Sequence, residues 1–153
     1  MTVSRSGSKA SHFWFGQTEQ TPQSCWHDAA RMLYQYKHRS DINPLGPTYM
    51  LNNGLSAAGF IQLAQTIGLR PIVAPALITV QYLGEQLTKY GPLWAAGTWN
   101  GPNHVVVITG VDSAGNVFVN DPASALPVKR TIQWFDQRLY RVADVANSLM
   151  YLP

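Results

Sequence analysis

Residues 91–122 read GPLWAAGTWNGPNHVVVITGVDSAGNVFVNDP, and this stretch decides the fold. It holds three runs rich in β-branched and aromatic residues, PLWAAGTW, NHVVVITGVD and GNVFVND, cut by the turn-forming clusters NGPN and DSAG. Short runs joined by tight turns predict an antiparallel meander. Upstream of it the periodicity is helical. In TVQYLGEQLTKYG, residues 79–91, Thr79 is the expected N-cap and Gly91 closes the helix, while Pro92 forbids its continuation. SAAGFIQLAQTIGL, residues 56–69, repeats the plan with Ser56 as cap and Gly68 at the C-terminal cap, and RPIVAP after it reads as a strand. The turn-rich segment 39–56, with its Asn-Pro, Gly-Pro and Asn-Gly pairs, is expected to be a structured loop.

A further helix is expected from Ser24, its N-cap, to His38. Trp26, Ala29, Ala30, Leu33, Tyr34 and Lys37 form its inward stripe, and Arg31, Gln35 and His38 face solvent. Beyond the meander, TIQWFDQRLY reads as a short helix and NSLMYLP as an edge strand. The whole is an α+β chain, a helical first half packed on an antiparallel sheet. With 153 residues, 46% apolar and 12% charged, it has the size and composition of one globular domain, expected over residues 16–153 after a flexible Ser/Gly/Lys-rich leader at 1–15. The leader lacks the apolar core of a signal peptide, and no apolar run is long enough to cross a bilayer, so the reading is a soluble monomer. A net charge of +3 with scattered Lys and Arg gives no basic run for nucleic acid. One cysteine excludes an internal disulfide.

That cysteine, Cys25, is the first chemical question. A lone cysteine is ordinarily a small buried apolar residue. This one follows the glutamine-rich loop QTEQTPQS and opens a helix, where unpaired N–H groups and the positive end of the macrodipole stabilise a thiolate. A thiolate nucleophile needs a histidine and an acceptor behind it. Of the four histidines, His12 lies in the leader, His27 turns away around the helix and His38 ends it. His104 opens a strand after the Gly101-Pro102 turn, which fixes its backbone. Asp121 closes the following strand, and in a hairpin the start of one strand lies beside the end of the next. Taken alone, His104 is also readable as a strand-start residue and Asp121 as a turn residue before Pro122. Together with Cys25 they have the composition of a nucleophile, base and orienting acid.

QTPQSCWHDAARMLYQY resembles the start of the central helix of papain-like cysteine proteases, where a glutamine precedes a Cys-Trp pair. GPLWAAGTWNGPNHVVVITGVDSAGNVFVNDP is similar to the second half of the bacterial effector-type and bacteriocin-processing members, with a Gly-Pro-led strand, a His-led strand and an Asp-Pro corner. The resemblance spans residues 17–122. It implies a papain-like fold, a peptide or protein substrate, no cofactor and no metal, with Cys25 as nucleophile, His104 as general base and acid and Asp121 as the orienting residue. It also implies an oxyanion-hole glutamine. Gln17, Gln20 and Gln23 compete for that role, Glu19 occupying the family's usual spacing, and Gln20 is selected because Gln23 sits too near the helix and Gln17 needs a wider loop. Trp99 and Asn103, ahead of His104, are the expected substrate-binding residues, with Trp94 a second tryptophan flanking the strand. The same resemblance implies effector or toxin biology, delivery by a specialised secretion system and an immunity or host protein as partner.

Other readings keep the fold and change the substrate: a peptidoglycan amidase, or an acyl or glutamine transferase. Cell-wall amidases of the NlpC and CHAP types place a small residue after the cysteine, and Trp26 stands there in this chain. A non-catalytic binding module would have no use for the Cys/His/Asp set. A metal site from His27, Asp28 and His38 fails on spacing, since the two histidines are eleven residues apart on one helix.

Overall fold

A computed structural model of the chain describes residues 25–38, 65–66, 68–99, 101, 104–122, 124, 126–141 and 148–153. Its elements run α1 (Cys25–His38), β1 (Arg70–Ile72), α2 (Val80–Tyr90), β2 (Leu93–Gly97), β3 (His104–Val111), β4 (Asn116–Asn120), β5 (Val128–Thr131), α3 (Ile132–Arg138) and β6 (Leu149–Tyr151). The strands form one antiparallel sheet in the order β1-β6-β2-β3-β4-β5. The α+β class and the β2-β3-β4 meander are as the sequence predicts.

Local chemistry sets the element ends. The Thr79 hydroxyl accepts from the Tyr82 N–H at 3.1 Å and starts α2, and Gly91, at φ 78°, donates its N–H to the Leu87 carbonyl and ends it. Thr131 caps α3 in the same way through the Trp134 N–H. The helix expected over residues 56–68 lies outside the described residues except at its end, where Gln65 and Thr66 are helical. Gly68 there has φ 104°, as expected of a C-terminal cap. The Ser24 cap, the 39–56 loop and the leader also lie outside them. None of the described helices is long and apolar enough to cross a membrane.

Strand alternation divides the core in two. Trp94, Ala96, Val105, Val107 and Met150 face α1 and pack on its Trp26, Ala29, Ala30 and Leu33. Leu93, Ala95, Val106, Ile108 and Leu149 face the other way, onto Leu83 and Leu87 of α2 and Phe135 of α3. Complete burial of one such leucine contributes about 2 kcal/mol relative to leaving it in water. Within the first layer the Trp94 indole N–H donates to the Trp26 carbonyl at 3.1 Å.

Two expectations are corrected and one strand is added. The C-terminal strand is no edge: β6 lies between β1 and β2, paired with both, because the ends of β1 and β2 leave a gap that only a third strand can satisfy. The outer strand beside β4 is β5, Val-Lys-Arg-Thr, whose mostly exposed polar side chains hid it from hydropathy. On α1, Gln35 is buried at 7% exposure while Lys37 is exposed, so the inward stripe is rotated from the one expected.

The β3-β4 ladder contains a bulge. Val111 faces Val117 and Gly110 faces Phe118, but Ile108 faces Val119 and Val107 faces Asn120, so Thr109 is the additional residue. Its hydroxyl donates to the Phe118 carbonyl at 3.3 Å. The bulge returns Val111 to the face of Ile108, where it packs with Val117, although simple alternation assigns it to the other face.

Candidate active site

Cys25 is the first residue of α1, and α1 lies across β3 and β2. Its side chain belongs to the cluster between helix and sheet and is 2% exposed. A position at the helix start is as the sequence indicates, but the residue is covered rather than open to a cleft.

His104 opens β3 opposite Gly97, the last residue of β2, so the ring stands at the end of the sheet. Its Nε2 is 2.5 Å from Oδ1 of Asp121, and Cys25 lies near enough to act on the ring. With Nε2 engaged by the acid, Nδ1 is the ring nitrogen left for the sulfur. Asp121 immediately follows β4, whose last registered pair sets Asn120 opposite Val107, three residues along β3 from His104. It is 7% exposed. Burial alone lowers the His104 pKa, but hydrogen bonds to Asp121 and Cys25, with the charges of both, outweigh it and raise the pKa from 6.5 to about 10. The folded value lies above the unfolded one, so the stability this ring contributes is whole below pH 6.5 and is lost as the pH rises through about 10. Thermal melts across that interval are expected to show a falling midpoint in the wild-type protein and a flatter profile in His104→Ala.

Gly97 has a role that the sequence reading missed. A Cβ there would lie 2.4 Å from the Arg138 carbonyl oxygen and 2.6 Å from the Trp99 ring. Its absence lets residues 138–140 run beside the end of β2, with the Thr98 N–H donating to Arg138 and the Tyr140 N–H to Ala96. A glycine inside a strand run, as in Trp-Ala-Ala-Gly, is the signal of such a close backbone approach.

The structure brings Cys25, His104 and Asp121 together. Trp99 lies apart from them: it is 3% exposed, stacks on Trp134 and Phe135, and donates its indole N–H to Ala95 in the cluster on the opposite face from Cys25. Its surroundings make it sheet core, not the wall of a cleft shared with Cys25. Asn103, Gln17, Gln20, Gln23 and His12 lie outside the described residues. His38 is exposed at the far end of α1 while Asp28 is buried at 1%, and among the described residues no three His, Cys, Asp or Glu side chains form a metal-binding group.

Comparison with known proteins follows the geometry. The family described as papain-like cysteine protease AvrRpt2 matches residues 13–140. A crystal structure of a double glycine motif protease from an AMS/PCAT transporter, in complex with the leader peptide, superposes with a TM-score of 0.52 at 19% identity, over 88% of this chain and 86% of that one. No curated protein sequence matches the chain significantly.

Proposed function

The chain belongs to the AvrRpt2 family of papain-like cysteine proteases, and on that premise we propose that Cys25, His104 and Asp121 hydrolyse a peptide bond through an acyl-thioester. The observation that carries the reading is the imidazole of His104, bonded to Asp121 and near enough to Cys25 to be acted on by it.

In this mechanism the Cys25 sulfur attacks the carbonyl carbon while His104 holds the proton that the thiol gives up. The oxyanion that forms receives hydrogen bonds from the Cys25 backbone N–H and from Gln20, the glutamine assigned by its place before the helix. His104 then gives its proton to the leaving amine, the C–N bond breaks, and the acyl group stays on sulfur. Water attacks next, His104 takes its proton, and the C–S bond breaks to release the carboxylate and restore the thiol side. Asp121 holds the ring orientation throughout, and Asn103 contacts the bound peptide. The substrate is a protein or peptide, in keeping with the peptide-bound protease of similar fold. Action as a bacterial effector or toxin domain, delivered by a specialised secretion route, is the biological setting proposed, and the Cys-Trp pair favours peptide hydrolysis over a cell-wall amidase.

The test is digestion of a peptide pool in water enriched in oxygen-18. Every new C-terminus should carry the label, and acid quenching should trap acyl groups on the Cys25 peptide. Products joined to an added amine instead of water would move the assignment to a transferase, and cleavage confined to peptidoglycan stem peptides would move it to an amidase.

Replacing Asp121 by Ala is expected to leave some activity, about 1–10% of the wild-type rate, because the acid orients the ring without entering the bonds made. The loss of its hydrogen bond and charge also lowers the His104 pKa, so the alkaline limb of the kcat/KM profile should move toward neutral pH. Complete loss in a folded Asp121→Ala protein would show that the acid does more than orient.

A further inference from the structure

We infer that Trp94 is a positioning residue for the peptidase reaction: its indole N–H ties the first turn of α1 to β2 and so holds Cys25 in register with His104. This rests on the assignment of Cys25 and His104 as nucleophile and base.

The bond joins residues 68 apart in sequence and is buried. Its acceptor is the carbonyl of Trp26, the residue next to Cys25, and in an α-helix that carbonyl also accepts the N–H four residues on, from Ala30. The helix therefore does not need the indole to satisfy its backbone, and the interaction does something other than complete the helix. Trp94 faces Val107 and Gly97 faces His104 in the same β2-β3 ladder. One rigid ladder thus carries the histidine on β3 and, through Trp94, grips the turn that carries the cysteine. Both tryptophans are fully buried, at 0% exposure, so neither can follow a drifting helix end without repacking the layer. A helix start that shifts by a fraction of an ångström moves the sulfur off the imidazole, and geometry of this kind governs rate more than binding.

The experiment replaces Trp94 with β-(3-benzothienyl)alanine, which keeps the bicyclic shape and removes the N–H, and makes Trp94→Phe as a second variant with a smaller ring. Each is assayed for turnover of the best-cleaved pool peptide and for labelling of native Cys25 by iodoacetamide, in wild-type and His104→Ala backgrounds. The expected result is a fall of about tenfold in kcat and in labelling rate with KM unchanged. In the His104→Ala background the labelling loss should vanish, because there is no longer an alignment to lose. Unchanged kcat and labelling, a rise in KM alone, or an equal labelling loss in both backgrounds would each overturn the inference and leave Trp94 a packing residue. If wild-type Cys25 labels no faster than in His104→Ala, the assignment of the pair itself fails. That outcome is read without any Trp94 variant and removes the inference with it.

Discussion

Cys25→Ala is expected to lower peptide hydrolysis by at least about 10⁴-fold, because among the described residues no other nucleophile stands near His104 to form the acyl intermediate. The protein should stay folded. Removing one sulfur from the layer between α1 and the sheet costs about 1 kcal/mol at a site that alanine fills without clash, since Ala29 and Ala30 already pack along the same helix. A circular dichroism melt beside the kinetic assay checks both halves of the expectation. Retention of more than a few per cent of the turnover by a folded Cys25→Ala protein would remove the thioester mechanism, whatever the family.

His104→Ala is expected to be nearly as damaging to turnover, about 10³-fold or more, and, unlike the cysteine change, to damage the fold as well. Asp121 is 7% exposed and loses its bond to the ring. Deleting one member of such a partly buried pair costs about 1–3 kcal/mol at neutral pH. The double variant His104→Ala/Asp121→Ala should therefore regain much of that stability and none of the activity. Labelling provides a reading free of substrate. An ordinary thiol is almost wholly protonated at about pH 6 and reacts slowly with iodoacetamide. The native protein should be alkylated there at a rate that collapses in His104→Ala. A residue at 2% exposure that served only the core would label after denaturation alone, with or without the histidine.

The parts of this arrangement legible in the sequence are those marked by local chemistry. Thr79 and Gly91 bound α2 because a hydroxyl cap and a positive-φ glycine are short-range requirements. His104 and Asp121 stood out because a Gly-Pro turn precedes one and a proline follows the other, which places both at strand ends where side chains escape alternation. What stayed hidden depends on partners distant in the chain. Nothing local tells Leu149–Tyr151 that β1 and β2 leave a gap for it, nor tells Val-Lys-Arg-Thr that Phe118 waits across the ladder. The burial of Cys25 and the bond from Trp94 are likewise set by how a helix settles on a sheet, and the stacking of Trp99 on Trp134 and Phe135 turned an expected substrate contact into core.

The bulge at Thr109 bears on how relatives of this chain are to be recognised. His104 and Asp121 are 17 residues apart, an interval that counts the ladder pairs, the turn and one supernumerary residue. Take Thr109 away and Val107 can still face Asn120 while Val111 still faces Val117, so the acid reaches the same ring across an interval shorter by one. A longer tip between Asp112 and Asn116 would stretch the interval with equally little effect on the far end of the hairpin, where the ring sits. The interval is therefore free to drift in evolution while the pairing is not. A search that counts seventeen positions from histidine to acid would pass over kin that one following the strand to its Asp-Pro corner would find.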